Sequence, residues 1–409
     1  MDALLSSVVG RVICNMVAKC CQFSTSRLGI ITAMSQSSLP KPEFIDKQAD
    51  LRELILQLTS QPQIAIDTES NSLFAYQEQV CLIQISFPDH DYLLDAITLP
   101  DLSPLAHVFA NTKVEKVIHA AEYDLRCLKR DFGFQVINLF DTRTALRTLG
   151  RARTGLGNVL ADEFGVKLNK RWQRANWGQR PLPAELLDYA RLDTHYLLQL
   201  RDRLALMLNE NQQWEEAAEE FKRLTTINVF DVEPREDRLW KIQGARKLKP
   251  REMAVLQEVY IFREQQAKRL DRPHFKVLAD KTLTEIAKTQ PKTRDELGTV
   301  YGMTKNQIRR FGKGLLAAVD RGHKRPPPHR PKSKRHNNAA AKRYKRLHAW
   351  RKKTAEKRGV DSDIILPREI VEEIANLSPK TLHELQAIMQ PLEWRFQKYA
   401  DDLLKLIHP

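Results

Sequence analysis

From residue 50 onward, short apolar runs alternate with stretches of helical periodicity. The runs at 64–66, 80–87, 92–94, 114–119 and 136–140 are brief and rich in Val and Ile, and read as strands. Residues 124–132 and 184–208 instead repeat apolar side chains at helical spacing, the second stretch without interruption in its Leu, Tyr and Ala series. Strands clustered first and then mixed with helices predict an α/β domain with a mixed sheet. Beyond about Asn228 the strand signals stop, and the remainder reads as all-helical.

The helical half repeats itself. Sliding the chain by 88 residues aligns 262–297 with 350–385 without a gap, and 11 of 36 positions are identical, among them Arg263/Arg351, Ala267/Ala355, Ile286/Ile374 and Pro291/Pro379. The organisation expected is an extension at 1–41, an α/β domain at 42–228, a helical domain at 229–320, a basic Pro-rich linker at 321–340 and a second helical domain at 341–409. Two or three units also suit a chain of 409 residues.

Charge sharpens this picture once it is located. Between Arg321 and Arg358 lie 16 Lys/Arg and one acid, Glu356, so the remainder holds 66 − 16 = 50 bases and 51 − 1 = 50 acids. The net charge of +15 is therefore one local feature, suited to a phosphate backbone or simply to a solvated linker. No apolar run approaches the roughly 20 residues of a membrane span. Cys14, Cys20, Cys21, Cys81 and Cys127 lack zinc-type spacing, which suggests a reducing compartment. A cytoplasmic protein is expected, although residues 1–33, with three bases, one acid and several serines, also resemble a transit peptide.

Three motifs carry candidate chemistry. Ile64-Ala65-Ile66-Asp67-Thr68-Glu69 puts Asp67 and Glu69 on one face of a strand, where a cation between them would offset the cost of crowding like charges; a strand edge facing water is the alternative. Asp124 stands where the apolar run ending at His119 gives way to a helix, as a ligand or as an acid complementing the helix dipole. Tyr189 and Asp193 are spaced i, i+4 and share a helix face. His119 and His195 have no ligand-spaced partner and read as structural.

Taken in order, these motifs resemble the DEDD exonuclease superfamily in the subclass whose third motif carries tyrosine, and most of all its ribonuclease D family. The segment Lys170-Arg171-Trp172-Gln173-Arg174-Ala175-Asn176-Trp177, followed by Arg180-Pro181-Leu182, looks like that family's connecting segment. The stretch 239–283, with Arg263-Glu264, Ala267 and Val277-Leu278, looks like a helicase-and-RNase-D C-terminal (HRDC) domain, and the repeat from Trp350 like a second copy. One departure is Ser70-Asn71-Ser72, where the family usually has an aromatic and a basic residue.

The resemblance implies a ribonuclease-H-like α/β exonuclease domain followed by two small all-α HRDC-like domains. It also implies two divalent cations, Mg²⁺ or Mn²⁺, with Asp67, Glu69 and Asp193 at the ion that activates water and Asp67 and Asp124 at the leaving group. Tyr189 would orient the nucleophilic water. Trp172, Trp177 and Arg180 would pack the core or a lid, unless the tryptophans stack on a base and Arg180 meets a phosphate. Arg174 and Arg180, and in the linker Lys324, Arg325, Lys332, Lys334 and Arg335, are the candidate phosphate contacts. The substrate implied is RNA with a free 3′ end, tRNA precursors in particular, with no membrane and no evident protein partner. A DNA-trimming exonuclease and a non-catalytic nucleic-acid-binding protein are the alternatives.

Overall fold

The computed structural model describes residues 39–169, 171–227, 235–329 and 337–408, the side chains of 235–237 excepted. Residues 1–38, with their transit-like stretch and three cysteines, Lys170, and the linker bases Lys332, Lys334 and Arg335 lie outside the described residues.

Six strands form one mixed sheet in the order β1-β4-β3-β2-β5-β6. They are β1 (Glu43–Ile45), β2 (Gln63–Ser70), β3 (Val80–Phe87), β4 (His90–Asp95), β5 (Glu115–Ile118) and β6 (Leu139–Asp141). β2, β3 and β4 run antiparallel as a meander, while β5, β6 and β1 pair parallel to their neighbours. Three-residue β1 was not foreseen, being too short to show a period. Helices α1 (Gln48–Ser60), α2 (Leu105–Phe109), α3 (Glu122–Phe132), α4 (Thr142–Thr148), α5 (Leu156–Phe164), α6 (Ala184–His195), α7 (Leu197–Glu210) and α8 (Trp214–Thr225) complete the domain.

Strand alternation sorts the residues of β2. Ile64 and Ile66 enter the main core with Leu125, Leu128 and Phe140. Asp67 and Glu69 pair with Gln84 and Leu82 on the other face, where Leu82 and Leu93 pack on Leu186, Tyr189 and Ala190 of α6. The uninterrupted helix expected over 184–208 is instead two helices meeting at Tyr196, whose ring packs 5.0 Å from Phe164 while α7 turns across β2 and β5.

Beyond the sheet, α9 (Arg235–Lys241) leads into a first helical unit of α10 (Pro250–Arg269), α11 (His274–Val277), α12 (Asp280–Thr289), α13 (Arg294–Thr299) and α14 (Lys305–Lys324). The second is α15 (Asn338–Arg358), α16 (Ser362–Ile365), α17 (Arg368–Leu377), α18 (Leu382–Met389) and α19 (Glu393–Ile407). The 88-residue repeat is physical. Arg263 and Arg351 donate to the carbonyls of Leu278 and Leu366 at 3.0 and 2.9 Å, Thr293 and Thr381 cap α13 and α18, and Gln290 and Ser378 adopt the same left-handed turn. Each unit has its own apolar core.

Both ends of the stretch expected as a linker over 321–340 are helical, the first in α14 and the second in α15 from Asn338. α14 continues through Lys324, with Gly322 packed against α10, where a Cβ would stand 2.5 Å from Val255 Cα. No helix among the described residues is long and apolar enough to cross a membrane.

Candidate active site

β2 carries Asp67 and Glu69 to its C-terminal end, and α6, packed over that face, delivers Asp193 to them. One carboxylate oxygen from each of the three lies within 4.8 Å of the others. Asp124, in the first turn of α3, enters from the opposite side of β2: Thr68 Oγ1 donates to its Oδ1 at 2.5 Å. All four acids and Tyr189 line one cleft of about 410 Å³, with Gln173, Trp177 and His119 on its walls. Among the described residues, none of the four is ion-paired with a lysine or arginine.

Unpartnered acids held together are hard to ionise. Asp67 and Glu69 keep an opening to the cleft, yet the protein packed around them, then the neighbouring carboxylates, raise both well above the usual carboxylate range. Burial, with Asp124 behind it, pushes Asp193 up to about 8. Asp124 is pushed up to about 6 by burial, against the hydrogen bond from Thr68. Burial and then the nearby acids hold the Tyr189 phenol above its ordinary value, so it stays protonated at neutral pH. Four convergent hard oxygen donors without a basic counter-charge fit a divalent cation such as Mg²⁺ or Mn²⁺. Tyr189 stands at i, i−4 from Asp193 with its ring 6.4 Å from that of buried Trp177.

The other candidates divide. Arg174 is exposed beside the cleft-lining Gln173. Arg180 is not available to a phosphate: its Nε and Nη2 hold Asp95 at 2.7 and 2.5 Å, and the remaining N–H groups reach the carbonyls of Trp177, Gln179 and Cys81. It fastens the loop that carries Trp177 to the sheet. Arg325 and Arg321, both about half exposed, pair with Glu258 (2.5 and 2.9 Å), and the exposed Lys324 pairs with Asp320 at 2.7 Å. Trp172 and Trp177 pack against α6. His195 pairs with Asp91 at 2.8 Å, as a structural histidine should, but His119 lines the cleft, with Nδ1 2.9 Å from Thr142 Oγ1. Thr68, Gln173 and Tyr123 were not foreseen on the cleft; none belongs to a pattern that local spacing marks.

Both helical units touch the catalytic domain. The turn after Glu69 is gripped by the first: Tyr76 donates its backbone N–H to Asp271 at 3.0 Å and its hydroxyl to Glu264 at 3.3 Å, and Lys276 stands 3.9 Å from the Phe74 ring centre. Ser70, Ser72 and Leu73 of that turn line the cleft. The second unit docks on α4 and α8 through Arg147 with Asp361 and Asp363, Arg358 with Glu216, and fully buried Arg395 with Glu219.

Sheet order, four converging acids and an adjacent tyrosine define a metal-dependent nuclease of the ribonuclease-H-like class, and comparison with known proteins agrees. The profile of the 3′-5′ exonuclease family matches residues 42–209, and that of the HRDC domain matches 252–319 and 340–407. Ribonuclease D of Nitrobacter hamburgensis is 28% identical over 371 residues, 90% of this chain and 95% of that one. Exosome complex component 10 of Rattus norvegicus is 34% identical over 253 residues, 59% of this chain but 28% of that relative. The crystal structure of Escherichia coli RNase D, an exoribonuclease involved in structured RNA processing, superposes with a TM-score of 0.67 at 25% identity, covering 90% of this chain and 99% of that one. The chain joins a 3′-5′ exonuclease domain to two HRDC domains, has ribonuclease D homologues over 90% of its length, and is a 3′-5′ exoribonuclease.

Proposed function

We propose that the enzyme removes nucleoside 5′-monophosphates from RNA 3′ ends, those of tRNA precursors among them, with two divalent cations, Mg²⁺ or Mn²⁺. The observation that carries this is the cluster of Asp67, Glu69, Asp124 and Asp193 without basic partners, beside a protonated Tyr189. Asp67, Glu69 and Asp193 would hold one cation, and Asp67 with Asp124 the other. Bound there, the pair supplies an acidified water and charge stabilisation at the departing 3′-oxygen. Tyr189 orients that water through its hydroxyl and does not act as a base, since its proton is held. Thr68 keeps one oxygen of Asp124 fixed, leaving the other for the site.

RNA is directed to the cleft by backbone electrostatics. The exposed bases of α15, including Lys342, Lys345, Lys352 and Lys353, supply it together with the rest of the basic run. Cysteines without zinc-type spacing support the cytoplasm as its compartment.

The test incubates the purified chain with 3′- and 5′-labelled RNA and DNA in Mg²⁺, Mn²⁺ or EDTA. Mononucleotides leaving the 3′ end of RNA only with metal support the proposal. Preferential trimming of DNA would transfer the assignment to the other backbone, and internal cuts or no reaction would oppose it.

A further inference from the structure

A fifth acid near the cleft is neither a metal-ligand candidate nor ion-paired. Asp141, at the end of β6, is 2% exposed, and its carboxylate accepts four backbone N–H bonds from two separate places. Two come from the start of α4, Arg143 at 2.8 Å and Thr144 at 3.1 Å, so it is the N-cap of that helix. Two come from the corner between β5 and α3, Ala120 at 3.0 Å and Ala121 at 2.9 Å. The cap residue of α3 is Ala121, which has no side-chain acceptor of its own. One carboxylate therefore caps α4 and pins the corner from which α3 starts.

The corner needs such a clamp. Ala120 is held at φ +64°, a left-handed conformation that an alanine seldom adopts without tertiary support. Four residues later comes Asp124, buried, with one oxygen tied to Thr68. The direction in which α3 leaves the sheet decides where the other oxygen points. Next to Asp141, Thr142 braces the same corner: its hydroxyl lies 2.9 Å from His119 Nδ1 and 3.3 Å from the Ile118 carbonyl.

We propose that Asp141 is a positioning residue for catalysis: by pinning the corner between β5 and α3 it fixes Asp124 where the cation at the leaving group must bind. This rests on the two-cation reading above. Asp141 does not touch the cation, and its negative charge adds to the field that attracts one. Removing it weakens the Asp124 site selectively, since Asp67, Glu69 and Asp193 are placed by β2 and α6.

The test is Asp141→Asn, which keeps the shape but turns a donor toward the Ala121 N–H, examined beside wild type by Mn²⁺ calorimetry and RNA-trimming kinetics. Wild type should bind two Mn²⁺; if it binds one, the two-cation reading fails whatever the variant does. Given two in wild type, the folded variant should keep one ion at wild-type affinity and lose at least tenfold affinity for the other. Its kcat should fall at least tenfold, the KM for RNA should stay within about twofold, and millimolar Mn²⁺ should restore part of the rate. Asp141→Ser, whose hydroxyl still caps α4 but is too short for Ala121, should behave alike and guards against a misfolded Asn variant. Two ions bound at wild-type affinity in either folded variant, or a loss of both ions together, would overturn the proposal.

Discussion

Two sets of acids sit within the exonuclease domain, and the fold treats them oppositely. Glu216 and Glu219, on α8, are buried and answered by Arg358 and Arg395 of the second helical unit; Trp394 N–H adds a 2.6 Å bond to Glu219. Asp67, Glu69, Asp124 and Asp193 converge with no arginine or lysine paired to them among the described residues. Asp95 is paired in the same way, and although burial pushes its carboxyl up, Arg180 and backbone N–H groups bring it below the usual range; at Glu219 burial outweighs Arg395 and holds the carboxyl above it. Asp193, in the crowded set, is pushed up to about 8. A carboxylate the protein neutralises with its own cation holds structure together. A set it leaves crowded and unpaired is kept for a cation from solution.

That contrast is open to direct attack. In the unpaired set, Asp67→Ala should abolish RNA hydrolysis in single-turnover assays, and in EDTA it should raise the melting temperature, because a repelling charge is gone; a variant that melts earlier and still trims RNA would break the distinction. Tyr189→Phe, which removes only the hydroxyl, should lower kcat by about 10²-fold while metal affinity holds. In the paired set, Arg395→Met leaves Glu219 buried without its counter-charge and should cost about 3–5 kcal/mol in urea unfolding. Glu219→Gln added to it should return part of that loss, and Mn²⁺ binding should be unchanged throughout.

The pH dependence of stability tests the crowded set as well. In EDTA the folded protein retains a proton on Asp193 that the unfolded chain releases near the ordinary carboxylate value of about 4. That contribution is complete below about pH 4 and is lost as the pH rises through about 8. The metal-free melting temperature should thus fall from pH 5 to pH 8. Mg²⁺ should restore more at the alkaline end, and Asp193→Asn should flatten the slope; a metal-free stability that climbs over this range would contradict an origin in the crowded acids. The smallest effect is expected from Lys352→Gln with Lys353→Gln, two exposed bases of α15. RNA affinity should drop a few-fold, and the slope of log affinity against log salt should lessen by at most about two, as filter binding would measure.

Much of this was visible in order along the chain. The strand Asp-x-Glu, the corner Asp124 and the helical Tyr189/Asp193 pair each follow from a local period, and the structure brings all five to one cleft. The repeat of helical units was legible because corresponding residues make corresponding bonds, as Arg263 and Arg351 do. Arg180 and Arg325 show the opposite case. An arginine in a polar loop reads as a free cation, and only the folded chain supplies the buried Asp95 and Glu258 that take it up. The break at Tyr196 was hidden because both helices keep the same apolar period and only the direction changes.

The sequence by itself determined which face of each element is apolar, where the acids fall on those faces, and that the net positive charge is confined to one stretch. These are properties of neighbours along the chain, set by periods of 2 and 3.6 residues. Tertiary structure alone decided which charges are answered. Arg395 meets Glu219 from 176 residues away, and Asp141 reaches the corner that aims Asp124 from 20. Whether a carboxylate is part of the scaffold or part of the site depends on what folding sets against it, and no local pattern carries that information.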